Sequence, residues 1–125
     1  PEIRGLNIKD DDGWTAFMVA CYNGHNDVVQ LLLDSSERIE MNAKNNCGCT
    51  ALMFACQYGH KDVVKLLLDH SDQSFDLNAK NENGETAMMI ACRRGHQDIV
   101  KLIQSKLTFS SKLKYLAKKI KNLLF

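Results

Sequence analysis

Residues 48–69 read GCTALMFACQYGHKDVVKLLLD, and the same pattern occurs twice more: GWTAFMVACYNGHNDVVQLLLD over residues 13–34 and GETAMMIACRRGHQDIVKLIQS over residues 84–105. The three copies align without gaps at offsets of 35 and 36 residues. Each is preceded by a related stretch, LNIKDDDG from Leu6, MNAKNNCG from Met41 and LNAKNENG from Leu77. Agreement through about 30 positions per copy is too long for chance and marks a repeat architecture.

Each copy reads as two short helices. Thr15, Thr50 and Thr86 stand where an N-cap is wanted, with a hydroxyl able to accept an early backbone N–H. The stretch that follows is small and apolar, and Gly24, Gly59 and Gly95 end it, because glycine takes the left-handed C-terminal conformation without strain. A second helix follows, with Asp27, Asp62 and Asp98 in its first turn, where negative charge suits the helix dipole. Val28, Val29, Leu31, Leu32 and Leu33 cover most of that helix in the first copy, so the pair must stack on a neighbour to be buried.

The pattern Gly-x-Thr-Ala-Leu-Met-x-Ala-Cys-x-x-Gly-His-x-Asp-Val-Val-x-Leu-Leu-Leu closely resembles the ankyrin repeat, over roughly residues 5–105. The resemblance implies an all-α solenoid of helix-turn-helix units with projecting β-turns or hairpins and a concave face. It divides the chain into repeats at residues 5–40, 41–76 and 77–106, followed by a C-terminal amphipathic helix over 107–125. Three departures stand out. The family's proline is Ala16, Ala51 and Ala87, which gives up a preset helix start. Its histidine is Met18, Met53 and Met89, and methionine is expected to lose the hydrogen bond by which that histidine ties its turn to the threonine. Ser35–Met41 and His70–Leu77 are about two and three residues longer than the family spacing and lengthen the turn after the second helix.

Composition agrees with a folded repeat domain. With 45% hydrophobic and 25% charged residues and one proline, collagen-like and disordered classes are excluded. No apolar run approaches the roughly 18 residues that span a bilayer, and no signal peptide is visible. The chain opens on Pro1 rather than Met and reads as a piece of a longer one. Five cysteines (Cys21, Cys47, Cys49, Cys56 and Cys92), an odd number without a secretory signal, predict a reducing, intracellular and cytoplasmic setting.

Cys47, Cys49, Cys56 and His60 invite a zinc reading, but Cys-Gly-Cys is tighter than the spacing of about two to four residues that structural zinc favours. Cys56 recurs as Cys21 and Cys92 in place of a small packed alanine, so these three read as buried core residues, and Cys47 and Cys49 as exposed turn thiols. His25, His60 and His96 recur in every copy and read as stacking residues; Met18, Met53 and Met89 read as adaptable core filler. No phosphate loop, serine elbow or calcium loop is present, and neither catalysis nor a cofactor or metal is expected.

What remains is binding. The resemblance places protein-partner contacts on the turn tips and the concave side of the first helices. On this sequence these are Asp11, Asp12, Trp14, Tyr22 and Asn23 in the first copy, and Asn46, Cys47, Cys49, Gln57 and Tyr58 in the second. The third offers Glu82, Asn83, Glu85, Arg93 and Arg94. These positions differ between copies while their framework does not; Trp14, Tyr22 and Tyr58 are anchors of the kind hot spots favour.

The net charge of +1 hides two opposed parts. Residues 1–105 carry 10 basic and 15 acidic side chains, whereas Lys106, Lys112, Lys114, Lys118, Lys119 and Lys121 face no acid in residues 106–125. From an N-cap at Ser110 or Ser111, Leu113, Leu116, Ala117, Ile120, Leu123 and Leu124 share about 120° of a helix, bordered by lysines. The first expectation is a cap over the apolar outer face of repeat three. The alternatives are an anionic membrane surface, touched through residues 112–125, or a partner groove of the calmodulin kind. Nucleic acid is not expected, because an acidic body repels phosphate and the tail lacks stacking aromatics apart from Tyr115. The expected state is a monomer.

Overall fold

The structure is a computed structural model and describes residues 5–35, 38–70 and 75–124. The centres of both inserted turns, residues 36–37 and 71–74, lie outside it. Among the described residues there are six helices and no strand: α1 (Ala16–Asn23), α2 (Asn26–Leu33), α3 (Ala51–Gln57), α4 (Lys61–Asp69), α5 (Ala87–Arg93) and α6 (Gln97–Leu124). The first helices α1, α3 and α5 pack side by side in one layer, and α2, α4 and the start of α6 form a second layer against them.

The local signals act as read. Thr15, Thr50 and Thr86 hold extended backbone, and their hydroxyls accept the amides of Met18, Met53 and Met89 at 3.2, 3.4 and 3.3 Å. One expectation is corrected here. Met53 does supply a hydrogen bond: its Sδ accepts the Thr50 N–H at 3.5 Å, completing a capping box. The thioether is a weak acceptor, but its flexible arm reaches back one turn.

Packing between repeats rests on the same few positions. Gly24 and Gly59 take φ of 70° and 72°, and each also leaves room for the next repeat's histidine. A Cβ on Gly24 would stand 2.5 Å from the His60 ring, and one on Gly59 2.7 Å from His96. The seated rings meet backbone carbonyls, His60 Nε2 2.9 Å from the Tyr22 oxygen and His96 Nε2 3.3 Å from that of Gln57. The recurring histidine is therefore a joint between repeats. Lysine and asparagine ladders add to it. Lys9 donates to the Lys44 carbonyl and Lys44 to that of Lys80, at 2.8 and 2.9 Å. The carboxamide oxygens of Asn7 and Asn42 accept the amides of Glu40 and Asp76, at 2.8 and 2.9 Å.

The core is continuous through Phe17, Met18, Cys21, Val29, Met53, Cys56, Val63, Leu67, Ile90, Ile99 and Ile103. Desolvation there pushes the Cys21 and Cys56 thiols up to about 12. The third copy departs from what its sequence predicts, because Met89 is 50% exposed and Cys92 is exposed. Among the described residues no further repeat packs over α5, and the exposed tail does not cover it either.

The tail is the second correction. No separate helix starts at Ser110 or Ser111; α6 continues unbroken through both, and every described residue from Thr108 to Leu124 is exposed. The boundary expected at 106/107 falls inside one helix, and the cap over repeat three is not formed. There are two physical reasons. After Gly95 the chain has no glycine or proline to stop a helix. At about 100° per residue, the centre of the tail's apolar stripe lies roughly 100° around the axis from the enclosed Ile99, Val100 and Ile103, in line with the half-buried Leu102 at the margin of the core, so extending α6 carries most of that stripe past the layer it would have covered.

Candidate partner-binding face

The turn tips are built by one device used three times. A side-chain oxygen at the start of each tip accepts two backbone amides: Asp10 from Asp12 and Trp14 (3.0 and 2.9 Å), Asn45 from Cys47 and Cys49 (both 3.0 Å), Asn81 from Asn83 and Glu85 (2.9 and 3.0 Å). Short polar side chains favour such turns because they replace a backbone acceptor locally. Successive tips are then laced together: Asn46 N donates to the Asp12 carbonyl and Glu82 N to that of Cys47, both at 3.0 Å. Asn46 also donates through Nδ2 to the Asp11 carbonyl at 3.1 Å. Asp11, Asp12, Asn46, Cys47, Glu82 and Asn83 thus project from a row of tips with a fixed backbone and exposed side chains.

Beside the tips, an aromatic cluster bridges repeats one and two. The Trp14 ring stacks on Phe54 with centroids 4.3 Å apart and meets Tyr22 edge-on at 5.4 Å. Tyr22 stands edge-on to Phe54 at 5.7 Å and lies 4.6 Å from the Tyr58 ring. The Tyr58 hydroxyl donates to that of Tyr22 at 3.2 Å. That bond, with lesser contributions including partial burial, raises the Tyr58 phenol above its ordinary range. Phe54 is buried and Trp14 half-buried, so they form the floor, while Tyr22 (37% exposed) and Tyr58 (43%) remain open to solvent. Sequence reasoning missed Phe54, which aligns with Val19 and Ile90 and looked like one more core residue; the signal was a ring substituted for an aliphatic at that position.

The third repeat turns the same positions polar. Glu85, aligned with Trp14 and Cys49, accepts Arg93 Nε at 2.8 Å and Arg93 Nη2 at 3.5 Å, while Asn81 Nδ2 reaches it at 3.4 Å. The Arg93 guanidinium beside it holds the Glu85 carboxyl below the usual carboxylate range. Cys49 between them is half-buried, and burial, followed by the neighbouring Cys47, raises its thiol. Arg94 is exposed and near enough to Tyr58 to act on its phenol. Asn23 donates to the Val19 carbonyl, and Gln57 offers its own carbonyl to His96. The predicted positions therefore fall into a tip row, an aromatic group and a charged end. Glu85 and Arg93 are largely engaged with each other.

Cys56 is buried on α3 while Cys47 sits exposed on a tip, so the four zinc-like residues do not converge. Among the described residues, no group of three or more His, Cys, Asp or Glu is arranged to hold a metal. No helix there is long and apolar enough to cross a membrane.

Comparison with known proteins fits this architecture. A search of the curated proteins finds no match. The family model described as ankyrin repeats (3 copies) matches residues 3–81 and again residues 37–115, displaced by about one repeat, as a chain that resembles itself at that spacing must. Together the two matches span all three repeats and the start of the tail, and the chain belongs to the ankyrin-repeat family.

Proposed function

We propose that this chain is a non-enzymatic binding module that holds a protein partner against the exposed rings of Tyr22 and Tyr58, flanked by Arg94 and the tips. Ankyrin repeats are generally protein–protein interaction modules and typically non-enzymatic. The observation that carries the reading is the aromatic cluster: two exposed tyrosines preorganised on a floor of Trp14 and Phe54, so that binding immobilises little that is not already fixed. Five unpaired thiols support a reducing, cytoplasmic setting, and we take the module to act as a monomer.

Trp14 cannot serve as a clean probe, because removing it also removes the stack on Phe54. Tyr58→Ala and Arg94→Ala are the better variants. Peptides selected from a displayed random library on the native chain should lose about tenfold or more in affinity to Tyr58→Ala, at a urea midpoint lowered only by the loss of its contact with Tyr22. Equal affinity for both single variants and the native chain would move the partner off this face.

The exposure of residues 108–124 favours a second reading beside the first. In it the basic helix is itself a ligand, for an anionic membrane surface or for a groove on a partner protein of the kind calmodulin offers its targets.

A further inference from the structure

We infer that residues 109–124 of α6 bind the surface of an anionic lipid bilayer, lying in its plane. This rests on the reading of the tail as a free ligand and chooses between its two occupants. Phe109, Leu113, Leu116, Ile120, Leu123 and Leu124 are each half or more exposed and share, with Ala117, about 120° of the helix. Lys112 and Lys119 border that stripe on one side, and Lys114, Lys118 and Lys121 on the other. Thr108, Ser111, Tyr115 and Asn122 occupy the opposite face. An apolar stripe with cationic borders suits the boundary between acyl chains and headgroups: the stripe enters, and lysine stems run along it and return their charge to the phosphates. The segment is about 25 Å long and too charged to span, so it lies flat.

The stripe's direction supports the same occupant. Its centre lies roughly 100° around the axis from Ile99, Val100 and Ile103, on the side of the half-buried Leu102, so these three core residues can stay in the stack while the tail's apolar face is engaged beyond it. The segment itself carries no acid, since Asp98 is the last one in the sequence, so none of its own side chains repels anionic headgroups. A second copy is a poorer fit. Positions 109, 113, 116, 120 and 123 do have the alternating spacing of a two-stranded coil. Such a pair would join two helices bordered by lysines with no acid to answer them.

The test is sedimentation of the full chain with vesicles of phosphatidylcholine, with and without about one-third phosphatidylserine, beside a Leu116→Glu/Ile120→Glu chain. The native chain should sediment with the anionic vesicles alone, at least about tenfold less at roughly 0.5 M salt than at low salt. The double variant should not sediment, yet should unfold at the native urea midpoint. No sedimentation of the native chain at low salt, or sedimentation that the double variant retains, overturns the bilayer and leaves the tail a ligand for something else. A clear drop in the variant's urea midpoint overturns the free-tail reading itself. Dimerisation of the native chain without lipid, abolished by the double variant, hands the stripe to a second copy and also overturns the inference.

Discussion

Helices α3 and α5 have the same sequence plan and different surroundings. Ala51-Leu-Met-Phe-Ala-Cys lies between two repeats and is buried at every position. Ala87-Met-Met-Ile-Ala-Cys has a repeat on one side and leaves Met89 and Cys92 in solvent. The threonine half of the cap is alike in both, each hydroxyl taking the amide three residues on, while the return bond from the methionine sulfur is made by Met53. The comparison separates two things a repeat sequence encodes: local conformation, set within each copy, and burial, which needs the next copy.

The largest expected effect is a direct test of that separation. Met53→Ala should destabilise the stack by about 2–5 kcal/mol, through lost burial and the cavity left behind. Met89→Ala, at the aligned position, should stay within about 0.5 kcal/mol. Urea unfolding of both variants measures this, and equal losses would mean that α5 is covered in solution by something the stack does not contain.

Glycine sharpens the comparison on a smaller scale. Gly59 and Gly95 both hold positive φ, 72° and 79°, so alanine at either should cost about 1–2 kcal/mol of left-handed strain. At Gly59 the new Cβ also meets the His96 ring, whereas nothing lies within 4 Å of one at Gly95. Gly59→Ala should therefore lose a further ~0.5–1.5 kcal/mol with the His96–Gln57 hydrogen bond. Identical midpoints for the two variants would deny the histidine its role as a joint.

The smallest effect concerns Glu85, where repeat three replaces the stacked ring of repeat one by an ion pair. Its carboxyl titrates below the ordinary range in the folded chain, so the stabilisation is present above the ordinary carboxylate pKa and lost as pH falls through the lowered one. Glu85→Gln should lower the urea midpoint slightly at neutral pH, and the gap to the native chain should narrow as the pH falls below the ordinary carboxylate range. A gap that widens in acid would assign the carboxylate a different partner.

Much of the fold was legible because its signals are local. A threonine cap and a left-handed glycine each depend on residues within four positions along the chain; the Asx turns at Asp10, Asn45 and Asn81, which the sequence reading did not single out, are just as local. The candidate face was legible as a set of variable positions, but not as a geometry. That Trp14 belongs to a floor with Phe54, 40 residues away, follows from how α1 and α3 pack. The lysine and asparagine ladders were likewise visible as recurrences without a visible purpose.

The amino-acid sequence by itself determined the period, the two helices of each repeat, their caps and turns, and the amphipathic character of the tail, since each arises from near neighbours and the pitch of a helix. Only the tertiary structure decided which copies of Met, Cys and His are enclosed, which aromatics form a floor and which stay open to solvent, and where the tail points. Burial belongs to a residue together with a neighbour about 35 positions away, and the direction of α6 follows from which of its faces the stack has already claimed.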